Sequence, residues 1–370
     1  GRPLCSMLLA LAPLVSSAND TLVSIAEAES ALERPWMDAT LCPDRRVQLL
    51  LGAMTLEEKV AQLGYKLGEC DDPSTIVKAH PLGVGGCGVG AATGGANRTN
   101  ALRAAVLNGT RLGIPPSVYG ESTHSGGSGG TTVFPMPCSQ GASWNLSLVE
   151  AIGASNALQL RAAGGSQGLP PILQVCTDPR FGRMEENVGE DPLHVSACGG
   201  AALAGVQGRD GGGGASTYLG DSRTRVASQA KHFAMYGAGP KDGYTPFGGG
   251  PNERTLFETY LRPWRDYAQA GGRGVMASHN MIDWVPVHGS RRMLTDVLRE
   301  QFGFAGGYIG SDNTNVEGLS SYFAGFADNA SDAAAFAIAA GVDQDMPGGA
   351  YLQYLVPLVQ AGVVAAGDVD

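Results

Sequence analysis

A carboxylate closes the run "GGYIGSD" at Asp312. Other short apolar runs end on Glu121, on Asp178 with Arg180 and Arg183, on Lys231 with His232, and on His279 with Asn280. Acids and cationic donors of this kind grip the hydroxyls of a polyol. Cleaving a glycosidic bond needs two carboxyl groups, one of them close enough to attack the sugar. Each residue also has a plainer reading. Asp between a strand and a helix commonly caps the helix, and a Lys–His pair serves in many surface turns. The choice depends on whether the chain brings these groups together.

The elements that carry them alternate. β-like runs occur in "PLGVGGCGV", "IPPSVYGES", "PPILQVCTDPR", "RVASQAKHF", "GVMASHN", "GGYIGSD" and "AGVDQDM". Helical composition fills residues 97–112, 146–163, 193–206, 253–270, 290–302, 332–340 and 351–361. Before them, Thr55 and Glu58 in "MTLEEKVAQL" have the spacing of a capping box. Alternating βα units predict an α/β fold with a parallel sheet covered by helices. About seven units in some 300 residues predict a closed (β/α)8 TIM-type barrel with outer helices. In such a barrel the strand C-termini form one mouth, so the groups above converge there. No GxGxxG opens a helix after a first strand, which weakens a dinucleotide site, and no phosphate loop is evident.

The totals narrow the class. The chain has 370 residues, 43% of them hydrophobic, enough for a sizeable core. A net charge of −10 argues against a nucleic-acid partner. Glycine is in excess, 55 residues, and clusters at 124–130 and 209–216 rather than in a repeat. The apolar stretch at 7–15 resembles the end of a secretory signal and is too short to span a membrane. We therefore expect a signal remnant at 1–18, an extension at 19–53 and the barrel from 54 to 370. Five Asn-x-Ser/Thr sequons, at Asn19, Asn97, Asn108, Asn145 and Asn329, suit a secreted glycoprotein. Of seven cysteines, Cys5 falls in the remnant and the other six leave disulfide pairing open. No CxxC spacing points to zinc, and no metal is expected.

Several ordered motifs resemble glycoside hydrolase family 3. They are "TDPRFGRMEENVGEDP" (177–192), "KHFAMYG" (231–237), "GVMASHNMIDWVPVHGS" (274–290), "LTDVLREQFGFAGGYIGSD" (294–312) and "AGVDQDM" (340–346). "MTLEEKVAQL" and "TTVFPMPCSQGASWN" (131–145) fit as well. The resemblance implies an N-terminal barrel domain and a retaining exo-β-glycosidase mechanism without metal or cofactor, acting on an oligosaccharide or aryl glycoside. Asp312 falls on the family's nucleophile. Lys231 and His232 fall on its sugar-hydroxyl pair, Arg183 on its substrate-binding arginine, and Glu121 on the acid that grips the hydroxyls farthest from the leaving group. Arg180, Glu185, Glu186 and Asp191 are expected to form an ion-pair network that orients Arg183. His124, beside Glu121, fits a structural role as well as a direct one.

The chain departs from the family pattern at informative places. Asn313 stands where an aromatic residue usually follows the nucleophile. His279 stands where Tyr often supports it. Glycine is usual at Ser125 and Trp284. The family's acid/base is mostly a Glu on a second, αβα domain, or a His in the loop after "KHF". That loop reads "AMYGAGPKDGY" here, so no acid/base is assigned, and the chain alone is expected to cleave unactivated glycosides poorly. Glu121, longer than the Asp of many glucosidase-like members, favours xylose over glucose. The rivals are a β-glucosidase of the same family and a carbohydrate-binding barrel without catalysis.

Overall fold

In a computed structural model the described residues are 34–66, 70, 72–88, 95–127, 130–208, 223–239, 250–323 and 325–370. The signal remnant, Cys5, the sequon at Asn19 and the glycine cluster at 209–216 lie outside them. Contacts divide the chain into two compact units, Gly1–Met54 and Thr55–Asp370. In the first, Arg46 Nε on the helix Pro43–Ala53 donates to the Trp36 carbonyl at 2.6 Å.

The second unit opens on the capping box. Thr55 N donates to Glu58 Oε2 at 2.9 Å and Glu58 N to Thr55 Oγ1 at 3.2 Å, starting the helix Leu56–Leu63. Seven parallel strands follow: β1 Tyr65–Lys66, β2 Gly86–Gly88, β3 Ser117–Gly120, β4 Gln167–Gly168, β5 Ala227–Phe233, β6 Gly274–Ala277 and, after a hairpin of β7 Met281–Ile282 and β8 Val285–Pro286, β9 Tyr308–Gly310. Each of the seven pairs with the next in chain order. The ring closes through residues 344–345. Gln344 bridges Gly310 at the end of β9, and Asp345 bridges Gly64 ahead of β1. A (β/α)8 barrel results, its last strand reduced to two bridges.

The helices fall close to the expected spans, at Gly95–Gly109, Leu146–Ala162, Pro192–Gln207, Ala330–Ala340 and Ala350–Gln360. Two differ in kind. Residues 256–260 and 292–301 wind with the wider i→i+5 bonding of a π-helix, as Leu261 N to Leu256 O and Phe302 N to Val297 O show. The run "PPILQVCTDPR" also departs from its expectation. The regular β4 pairing lies before it, and within it only Ile172 bridges, to Lys231. Pro170 and Pro171 have no N–H to donate to a ladder. Among the described residues one disulfide, Cys70–Cys87, joins β2 to the segment after β1.

Outer helices pack onto the strands through Phe233, Trp264, Val275, Leu294 and Ile309, all at most 1% exposed. Each such side chain contributes about 1.5–3 kcal/mol by leaving water. One buried group opposes this. Asp345, 0% exposed, accepts from Tyr351 N at 3.2 Å, and Gly348 packs so closely that a Cβ there would lie 1.9 Å from Asp345 Oδ1. Burial, then the nearby Glu317, push its pKa up from 3.8 to about 7. The folded state thus holds this proton more tightly than the unfolded chain. The stability it confers is complete below pH ~4 and is lost as pH rises through ~7, about 4 kcal/mol for a shift of roughly three units. Asp345→Asn keeps an acceptor and cannot ionise. It is expected to raise the melting temperature by several degrees at pH 8 and to leave it unchanged at pH 4. Melting curves at both pH values check this; an equal gain at each would mean that Asp345 does not titrate in the folded state.

Candidate active site

The candidate residues come from five strand ends. Asp312 lies two residues beyond β9, His279 two beyond β6, and Glu121 one beyond β3. Lys231 and His232 lie within β5, joined by a cis peptide. Arg183 comes from the loop that follows the fourth strand region. Parallel topology puts all of these ends on one face.

Contacts join them into one network. Lys231, 3% exposed, reaches across to Glu121, Nζ to Oε2 at 2.8 Å, and so ties β5 to β3. His232 Nε2 is 3.5 Å from Asp312 Oδ2, and His279 Nε2 is 2.7 Å from the same oxygen. Arg183 is held by a two-pronged bond to Glu186, at 2.7 and 2.8 Å, and donates to Tyr236 Oη at 3.3 Å. The Tyr236 ring in turn packs 4.8 Å from His232 and 5.5 Å from His279, centroid to centroid. Glu121 is the exposed end of the network, with 63% of its side chain open to solvent.

The expected ion-pair network around Arg183 needs correction. Glu186 grips it. Asp178 instead pairs with Arg180, and Asp191 accepts from His194 N at 2.7 Å as the N-cap of the helix Pro192–Gln207. Asp191 is spent on the first turn of that helix, where an acid satisfies an otherwise unpaired N–H. His124 Nδ1 is 3.2 Å from the Phe134 carbonyl, a contact that braces its own loop.

Asp312 is not a helix cap. The next helix is Asn315–Ser321, its N-cap is Thr314 in the left-handed region, and no side chain caps it. Asp312 Oδ1 accepts from the adjacent Asn313 N at 2.6 Å. The carboxylate is 9% exposed, and burial alone would raise its pKa. Its contact with His279, chief among the lowering influences, outweighs burial and holds it well below the usual carboxylate range. The acid is therefore ionised at any physiological pH.

Three histidines surround it, and their partners assign their protons. Asn315 Nδ2 donates to His279 Nδ1, which leaves the proton on Nε2, facing Asp312. Gln174 Oε1 accepts from His232 Nδ1 at 2.9 Å and from His232 N at 3.1 Å. Burial drives the pKa of His232 well below its ordinary value, so the ring is neutral and its Nε2 offers a lone pair. His288, 0% exposed, accepts from Asp312 N at 3.1 Å and is kept neutral by burial, with a pKa of about 3. Asp312 is thus held at its backbone N–H and at Oδ1, while Oδ2 lies against the His279 and His232 rings without a directed hydrogen bond.

Gln174, Tyr236, His288 and Asn315 were not singled out from the sequence. Their contacts cross between strand ends and follow no local spacing. A left-handed backbone marks the same region. Six described non-glycine residues have positive φ, and five of them follow a candidate residue closely: Ser122 after Glu121, Met235 after His232, Asp283 and Trp284 after His279, and Thr314 after Asp312. Strain of this kind gathers where function constrains the chain.

Comparison with known proteins agrees with this geometry. Residues 55–370 match the family model described as glycosyl hydrolase family 3 N terminal domain. A putative β-xylosidase of Formosa agariphila is 32% identical over 88% of this chain and 44% of its own length. A periplasmic β-glucosidase of Salmonella typhimurium is 30% identical over 94% of this chain and 44% of its own. Among solved structures, a β-glucosidase of Erythrobacter marinus superposes with a TM-score of 0.79 at 32% identity, covering 90% of this chain and 44% of that one. A β-glucosidase of Listeria innocua in complex with isofagomine gives 0.77 at 30% identity, covering 88% and 44%. The chain spans less than half the length of these relatives.

Proposed function

The chain belongs to glycosyl hydrolase family 3, and from that premise we propose that it is the sugar-binding barrel of a retaining exo-β-glycosidase. The observation that carries the reading is Asp312, a buried carboxylate kept ionised beside the His279 ring nitrogen 2.7 Å away. An ionised acid at a barrel mouth is poised to attack an anomeric carbon and form a glycosyl ester, which water then hydrolyses. In the first step the bond to the leaving oxygen breaks and that oxygen takes a proton from an acid, a role assigned to no described residue. Lys231, with three donors, and the His232 lone pair bind hydroxyls of the same sugar, and Arg183 supplies a fixed cation beside them.

Xylose is the favoured terminal sugar. Glu121, drawn to Lys231, reaches farther than an aspartate and occupies space that a hexose hydroxymethyl needs. Relatives named for both sugars fit this modest steric discrimination. An extracytoplasmic location fits the signal-like start, the sequons and a relative named as periplasmic. No described helix is long and apolar enough to cross a membrane.

A 2-deoxy-2-fluoro-β-xyloside with a dinitrophenolate leaving group tests the proposal, because that leaving group departs without a proton. Mass spectrometry is expected to find one sugar on the peptide that contains Asp312, with slower labelling by the glucose analogue. Labelling at Glu121 or Asp178 would move the nucleophile. Sugar binding with no adduct would make the protein a carbohydrate-binding barrel without catalysis.

A further inference from the structure

The hairpin between β6 and β9 carries an unusual tip. β7 and β8 pair through Ile282 and Val285, which leaves Asp283 and Trp284 as a two-residue turn. Both have positive φ, 51° and 67°, as a type I′ turn requires. Such turns favour Asn-Gly or Asp-Gly, since a side chain at the second position strains the left-handed backbone. Here that position holds tryptophan, and Trp284 is 73% exposed. The chain accepts the strain without burying the ring.

The tip is held firmly all the same. Asp283 Oδ1 accepts from Gly250 N at 3.0 Å, and Asp283 Oδ2 from Arg292 Nη1 at 3.3 Å. Its stem is closed by Val287 N donating to the Asn280 carbonyl at 3.1 Å. The stem leaves the barrel at His279 and returns at His288, and both rings touch Asp312. Trp284 is five residues from one and four from the other. At about 3.3 Å per extended residue, its Cα lies within roughly 13–17 Å of both. An exposed indole thus stands on a braced hairpin whose two ends both touch Asp312, within that reach of the mouth. Beside Asp312 itself stands the exposed Asn313, which has no ring to offer.

We infer that Trp284 is the stacking platform for the leaving-group side of the substrate, binding the apolar face of a sugar beyond the bond that is cut. This rests on the glycosidase reading and adds to it a determinant of chain-length preference. Strained turns persist where function needs the side chain they place, and an indole offers a large apolar face at little cost in side-chain freedom.

Calorimetric titration of the full chain in an Asp312→Asn background, where no turnover occurs, tests the inference with xylose, xylotriose, glucose and cellotriose. Trp284→Gly is expected to weaken binding of the preferred trisaccharide about tenfold or more, the scale of losing one aromatic stack. Binding of the matching monosaccharide should change by less than about twofold, since that pocket is untouched. Trp284→Phe should retain most of the trisaccharide affinity. The glycine variant should melt no lower than its parent, because the turn is relieved. Unchanged trisaccharide binding, equal losses for both sugars, or a lowered melting temperature showing that the indole is packed, would each overturn the platform. If the protein with Trp284 intact bound none of the four sugars, the glycosidase reading would fail and the platform with it.

Discussion

Asp312→Asn is expected to lower kcat about 10⁴-fold or more, the scale of removing a covalent nucleophile, while the melting temperature stays within about 3 °C of the parent. The amide cannot attack, but it keeps a carbonyl oxygen to accept from Asn313 N. The backbone bond from Asp312 N to His288 does not involve the side chain. A catalytic role therefore separates from a structural one: rate collapses and folding does not. Acid melting adds a check with a definite sign. The folded pKa of Asp312 is depressed, so its ionised form contributes stability that is present above pH ~4 and is lost as pH falls below it. The variant should thus lose less stability on acidification than the parent. Parent-like turnover by Asp312→Asn, measured on an activated aryl xyloside, would remove Asp312 from the chemistry.

Sequence reasoning left this residue with two meanings, and the reason is physical. An acid after a short apolar run and before an Asn-rich segment satisfies the pattern of a helix cap as well as that of a site at a strand end. Only the position of Thr314, in the left-handed region and one residue before the helix, rules out the cap. Asp191 shows the reverse. Its motif suggested a place in the Arg183 network, while three-dimensional packing gave it an ordinary cap. The helices were legible because helix-favouring composition and the capping box act within one or two turns. Tyr65–Lys66 in β1 and the closure at 344–345 were harder, since two residues carry no periodicity and their pairing comes from partners far along the chain. The environment of Asp312 is nonlocal in the same way. Gln174, His288 and Asn315 meet their partners 58, 24 and 36 residues away.

His279→Phe is expected to lower kcat/KM about 10–100-fold at pH 7 and to move the acid limb of the pH profile upward. The magnitude is that of a charge-assisted hydrogen bond, about 1.5–3 kcal/mol. The direction follows from the two opposing influences on Asp312. Burial raises its pKa, and the His279 contact, chief among the opposing influences, brings it below 3.8. With phenylalanine in place, burial goes largely unopposed and the carboxyl holds its proton at higher pH, where a protonated acid cannot attack. Position 279 is tyrosine in many family members, so His279→Tyr restores a hydroxyl donor and should recover most of the rate and the low acid limb. That recovery distinguishes a role in setting the charge of Asp312 from simple space filling, because both variants put an aromatic ring of similar size between Tyr236 and Asn315. The Asn315 amide now directs the His279 proton toward Asp312. Asn315→Leu should therefore give a weaker version of the same upward shift, as the ring becomes free to place its proton on either nitrogen. Profiles of kcat/KM from pH 3 to 8 with a dinitrophenyl glycoside, whose departure needs no acid, isolate this ionisation from that of any proton donor. An acid limb for His279→Phe that coincides with the parent's would show that another group keeps Asp312 charged.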